Sequence, residues 1–213
     1  MEEQKIVVGI THGDVNGIGY EVILKALADS HILEICTPII YGSPKVAAYH
    51  RKVLNIEMAP FHQIRTAAEA DNRKVNIINC CDDEIRVELG KPSPQAGEAA
   101  FQALEAATSD LRAGLIDVLV TAPFNKETVQ SEQFQFPGHT EYLAKQFDSR
   151  NFLMLLVSES LRVGVVTGHV PIAEVSKQIN EQAILRKLRV LHRTLVADFA
   201  VTAPRIAVLG LNP

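Results

Sequence analysis

The chain has 213 residues, 47% hydrophobic and 22% charged, an ordinary globular balance with room for one large or two small α/β domains. A net charge of -4 and scattered basic residues exclude a nucleic-acid-binding stripe, and no apolar run approaches the roughly 18 residues that span a bilayer. The start, Met1-Glu2-Glu3-Gln4-Lys5, lacks the basic opening and apolar core of a signal peptide, and an odd set of cysteines (Cys36, Cys80, Cys81) argues against a disulfide framework, so a reduced, cytoplasmic protein is expected.

Strand and helix patterns alternate from the beginning. Ile6 to Ile10 is a short apolar run of the kind buried on both faces of a parallel sheet. A glycine-rich turn, Thr11 to Gly19, leads to a helix over about Tyr20 to Ala28. A second strand, Pro38 to Tyr41, runs into Ser43-Pro44, where serine fits a helix N-cap and proline the first helical position. Val75 to Asn79 reads as a strand, and Gln95 to Ala113 as a long helix closed by Gly114, with Phe101, Leu104, Thr108 and Leu111 along one stripe. Val118 to Thr121 is expected to be another buried strand, stopped by Pro123.

From Asn125 to Pro137 the chain is polar and without period, which predicts a crossing between lobes. A helix after His139, strands at Phe152 to Val157 and Arg162 to Thr167, a helix over Glu181 to Phe199 capped by Asn180, and a strand from Arg205 to Leu211 follow. The lobes are placed at 1–130 and 131–213. A buried strand ending in Gly210-Leu211-Asn212-Pro213 resembles the start of a loop at the carboxyl edge of a sheet, so a C-terminally truncated second lobe is expected.

Four segments could carry chemistry. Thr11 to Gly19 joins a strand to a helix, where glycines let backbone amides approach an anion, although a merely tight turn explains them as well. It matches neither G-x-G-x-x-G nor the P-loop. Thr121 to Lys126 puts an amide and a lysine just past a strand, able to grip a phosphate or to sit in solvent. In Phe136-Pro137-Gly138-His139-Thr140-Glu141 a Pro-Gly turn delivers an imidazole, a hydroxyl and free helix amides side by side, a cluster suited to a phosphorylated substrate. In Thr167-Gly168-His169-Val170-Pro171 a histidine follows a strand and could bind metal. His31, His50, His62 and His192 read as surface or packing residues, and Cys80-Cys81 as small buried hydrophobes.

Together these segments, with the Gly90 to Lys126 block and the terminal Gly210-Leu211-Asn212-Pro213, resemble the 4-hydroxythreonine-4-phosphate dehydrogenase family of pyridoxal phosphate biosynthesis. The resemblance implies a two-lobed α/β/α sandwich like isocitrate and isopropylmalate dehydrogenases, with a cleft between the lobes and a homodimer. It implies that His139 and Thr140 bind substrate and that His169 binds a divalent metal (Zn, Mg or Co). The family's second metal histidine directly follows the Gly-Leu-Asn-Pro motif, so the remaining ligands would lie beyond Pro213 and the 213-residue chain is expected to be inactive. The implied reaction is oxidation of 4-phosphooxy-L-threonine by NAD or NADP with loss of carbon dioxide, giving 3-amino-2-oxopropyl phosphate. The first loop departs from the family's proline-rich pattern at His12, Val15, Asn16 and Tyr20. The rival readings are a 4-phospho-D-threonate or phosphoerythronate dehydrogenase of the same superfamily, and a non-catalytic phosphate-binding module. No residue is assigned as the catalytic acid or base.

Overall fold

The computed structural model describes residues 5–82 and 84–210; the Met1–Gln4 start and the Leu211-Asn212-Pro213 end of the terminal motif lie outside them. Two compact units divide between Phe147 and Asp148.

The first unit is built on a five-stranded parallel sheet. In chain order it contains β1 (Ile6–Thr11), α1 (Gly19–Leu27), α2 (Ile32–Ile35), β2 (Cys36–Gly42), α3 (Pro44–Val53), β3 (His62–Ile64), β4 (Asn76–Asn79), α4 (Pro94–Arg112), β5 (Val118–Thr121) and α5 (His139–Gln146). The strand order is β3-β4-β2-β1-β5, with Ile10 opposite Ile40 and Val120, and Ile40 opposite Ile77. Side chains alternate along a strand, so Ile39 and Ile40 enter different clusters, and both are fully buried. Ile40 packs with Leu24 and Leu27 of α1 and Val46 of α3, whereas Ile39 packs with Ala103 and Ala107 of α4. Each such isoleucine contributes roughly 1.5–3 kcal/mol by leaving water.

Helix boundaries follow local chemistry. Ser43 Oγ accepts from Val46 N, and Ser93 Oγ from Ala96 N, each ahead of a proline in the first turn. α4 is rich in alanine, the best helix former, and ends as Gly114 turns left-handed at φ 71°. Its close approach to the chain that follows needs Gly97, where a Cβ would collide with the Thr128 carbonyl.

Three expectations change. β5 is the sheet's edge strand, and Val118 and Val120 are about half exposed, so it is not a strand buried on both faces. The short β3 at His62–Ile64 was unreadable in three residues, and it places His62 in the sheet with its Nδ1 3.0 Å from Asn76 Oδ1. Residues 131–147, read as the beginning of the other lobe, pack in the first unit through Phe134 and Tyr142 against Phe101 and Leu104.

The second unit contains β6 (Leu155–Val157), β7 (Arg162–Gly164), α6 (Ile172–Gln178) and α7 (Glu181–Ala197). β6 and β7 form an antiparallel hairpin, closed by Ser158 N donating to Leu161 O at 2.8 Å. Asn180 Oδ1 caps α7 by accepting from Ala183 N, and Ile184, Leu188, Leu191 and Leu195 share one face, of which Leu195 is buried. The stretch 205–210 is not a strand: no described strand pairs with it, and Leu209 is 89% exposed.

Candidate functional site

Every strand of the parallel sheet points its carboxyl end to the same edge, so the loops after β1, β4 and β5 gather there. The loop after β1 is braced on the one after β5. Asp14 N donates to Pro123 O at 3.0 Å, and Gly13, at φ 69°, leaves no room for a side chain beside that carbonyl. Asn16 N donates to Asp14 Oδ1 and Gly17 N to Asp14 O. These amides of the 11–19 loop thus have protein acceptors, as does His12 N on Tyr41 O, and of its two readings the structure favours a bracing turn over an open anion cradle.

Asn16 is the clamp of this edge. It is buried, and its Oδ1 and backbone carbonyl accept from Glu88 N and Gly90 N, both at 2.8 Å. Its Nδ2 donates to Lys91 O at 2.8 Å and Ser93 Oγ at 3.4 Å. One side chain thereby ties the β1 loop to the approach of α4. Sequence reading registered Asn16 only as a departure, because its partners lie more than 70 residues away.

The loop after β5 is ordered from within, although it shows no period. Asn125 Oδ1 accepts from Glu127 N and Thr128 N, a local turn that commits the amide oxygen to the backbone. Ser131 Oγ accepts from Phe134 N. The fully buried Phe134 ring then packs on Phe101, Phe124, Phe136 and Tyr142 at centroid distances of 5.4–5.7 Å. These rings are the signal that polarity concealed.

That cluster positions His139. The imidazole lies 3.9 Å, centroid to centroid, from Phe124, at the first position of α5 and beside Thr140. No side chain caps this helix, so its leading amides are available to an anion. Burial, and then the positive charge of Lys126, push the His139 pKa down to about 4. A neutral imidazole and uncapped helix amides therefore lie together, with the exposed Lys126 near enough for its charge to act on the ring. They can bind a phosphorylated molecule and exchange a proton with it.

His169 belongs to the second unit, exposed on the turn before α6, where Val170 N donates to Gly168 O at 3.0 Å. Among the described residues no group of three or more His, Cys, Asp or Glu side chains could hold a metal ion. His169 as placed therefore does not make a metal centre with its described neighbours.

Folding also joins His12 and Tyr20, which stand out along the chain only as departures, to the end of β4. His12 is fully buried, stacked on Tyr20 at 5.3 Å, with Nε2 3.4 Å from Cys81 Sγ. Tyr20 in turn stacks on His50, whose Nε2 lies 2.8 Å from Val15 O. Burial lowers the His50 pKa, so this second imidazole is a neutral packing residue.

The family described as pyridoxal phosphate biosynthetic protein PdxA matches residues 34–213. A 4-hydroxythreonine-4-phosphate dehydrogenase of Bacteroides thetaiotaomicron is 55% identical over 214 residues, covering 100% of this chain and 58% of that protein. A D-threonate 4-phosphate dehydrogenase of Cupriavidus necator is 35% identical over 216 residues, covering 100% and 64%. The crystal structure of a 4-hydroxythreonine-4-phosphate dehydrogenase from Burkholderia phymatum superposes with a TM-score of 0.83 at 33% identity, over 99% of this chain and 64% of that one. The chain thus spans about three fifths of the length of these relatives.

Proposed function

This chain belongs to the PdxA family, with the isocitrate/isopropylmalate dehydrogenase-like α/β fold, and from that premise we propose that the whole protein oxidises and decarboxylates 4-phosphooxy-L-threonine to 3-amino-2-oxopropyl phosphate. NAD or NADP is the proposed hydride acceptor, a divalent metal the proposed ion, and a homodimer in the cytoplasm the proposed working form. No described helix is long and apolar enough to cross a membrane.

The observation that carries this reading is the half-buried His139 ring, packed on Phe124 at the uncapped start of α5 and within reach of the charge of Lys126. Lys126 supplies charge for a phosphate dianion, and the α5 amides supply donors. His139 and Thr140 are the proposed substrate-binding pair. The neutral imidazole can donate to one substrate oxygen through one nitrogen and accept through the other, which an imidazolium cannot do. His169 is the proposed metal residue. The described residues do not assemble a metal site around it, and little turnover is expected of the 213-residue chain alone.

A phosphorylated D-threonate is the specific alternative, since relatives at 33% and 35% identity carry that name. Both acids offer a phosphate to the same lysine, so the site reading holds for either. The test follows reduced nicotinamide on mixing the whole protein, a divalent ion and NAD or NADP with each acid in turn. Faster turnover of 4-phosphooxy-L-threonine is expected. Preference for the D-threonate phosphate would reassign the substrate. Binding of either acid without turnover would make this a non-catalytic phosphate-binding module.

A further inference from the structure

The β1 loop and the end of β4 bring a histidine and two thiols together at a place the proposed reaction does not use. Cys81 Sγ lies 3.4 Å from His12 Nε2 and 3.9 Å from Cys80 Sγ. The ring is locked: His12 has no exposed surface, stacks on Tyr20, and lies against Gly42, where a Cβ would crowd its Cδ2. His12 Nδ1 is buried without a partner. A buried lone pair is better tolerated there than a buried N–H, so the imidazole keeps its proton on Nε2 and donates it towards sulfur.

We propose that Cys81 is a peroxide-reactive thiolate, held by donation from His12 Nε2 and the neighbouring Cys80 thiol, and is a site of two-electron oxidation by small hydroperoxides.

The bland alternative is a small hydrophobe filling space. It does not explain why Cys81 alone of the three thiols has an imidazole contact among the described residues. All three cysteines are partly buried. Burial raises the pKa of Cys36, whose thiol donates to Ile32 O. The Cys80 hydrogen bond, and then His12, lower the Cys81 pKa, while Cys80 moves up. Tyr20 and Tyr41, which face the pair, stay neutral because burial raises their pKa values, and burial lowers that of His50. Cys81 is only partly buried, and its neighbours Asp82 and Ala99, the latter with its carbonyl 3.9 Å from Cys81 Sγ, line a cavity of about 320 Å³.

The step balances with hydrogen peroxide as oxidant. A sulfur lone pair forms an S–O bond to one peroxide oxygen and the O–O bond breaks. The departing hydroxide takes a proton from solvent and leaves as water. Sulfur gives up two electrons, the peroxide gains them, and Cys81 becomes a sulfenic acid.

The test labels the chain with limiting iodoacetamide between about pH 4 and pH 9 and reads each cysteine by peptide mass spectrometry. Cys81 is expected to label first, with a midpoint below the ordinary thiol value of about 8.5. His12→Phe should move that midpoint towards the ordinary value of about 8.5, and His12→Gln, which keeps a donor, should move it less. Limiting hydrogen peroxide with a sulfenic-acid trap should mark Cys81 ahead of Cys36. If His12→Phe does not fold, the wild-type order of labelling still decides. Cys81 reacting no sooner than Cys36, or a midpoint unmoved in a folded His12→Phe chain, would overturn the proposal.

Discussion

His139 sits where its charged form is disfavoured by burial and by Lys126. Its folded pKa near 4 lies below the unfolded value of about 6.5. As pH falls, the unfolded chain therefore takes up this proton first. The stability that His139 confers is complete above about pH 6.5 and is lost as pH drops from there to about 4. His50, lowered for the same reason, adds in the same direction. Urea unfolding at about pH 7 and about pH 4.5 should show a falling midpoint, and a smaller fall in His139→Asn. An equal fall in both chains would show that His139 is not desolvated. Asn16 offers a second test at this scale. Asn16→Leu leaves Glu88 N without its side-chain acceptor and Lys91 O without its donor, and about 1–3 kcal/mol of stability should be lost. Unchanged urea midpoints would mean that the clamp is incidental. Neither role is visible along the chain, because Asn16 meets its side-chain partners, and His12 meets Cys81, only after some 70 residues of intervening chain have folded. Lys126 and His139 were legible because they follow a strand and open a helix, positions with a chemistry of their own.

Helix α4 organises the middle of the first unit, and its ends were readable because capping is local. Ser93-Pro94 starts it and Gly114 stops it. Removing the cap in Ser93→Ala should cost about 1 kcal/mol, and it also takes away the hydroxyl to which Asn16 Nδ2 donates. Gly97→Ala should cost more, about 1–3 kcal/mol, because the added methyl group meets the Thr128 backbone rather than a side chain that can swing away. Thermal unfolding of the two variants checks the order, and a Gly97→Ala chain as stable as the native one would mean that the 125–130 turn yields freely. The elements that escaped sequence reading failed for non-local reasons. An apolar run identifies a strand but not its neighbours, so β5 was recognised while its edge position was not. The same apolar texture at residues 205–210 forms no strand, since pairing is a property of two segments. The loop after β5 hid its order behind polar residues, although Phe124, Phe134 and Phe136 were there to be read as an anchor.

At the scale of the molecule the two units differ in how they are held. The first has three clusters of buried side chains around its sheet, whereas Leu195 is the single buried hydrophobic side chain among the described residues of the second. Amide exchange should therefore be slowest in β1, β2 and β4 and faster throughout residues 148–210, and uniform protection would contradict this division. The fold class was legible from the alternation of strands and helices, and the family from motifs spread along the chain. The working chemistry was legible only as residue types in promising places. Everything proposed for the reaction depends on Lys126 and a neutral His139 receiving a phosphorylated substrate. The decisive measurement follows the His139 ring by NMR across pH, with and without 4-phosphooxy-L-threonine. Titration near 4 is expected in the free protein, with an upward move when the phosphate dianion sits beside the ring. An ordinary titration near 6.5 that ignores the ligand would contradict it.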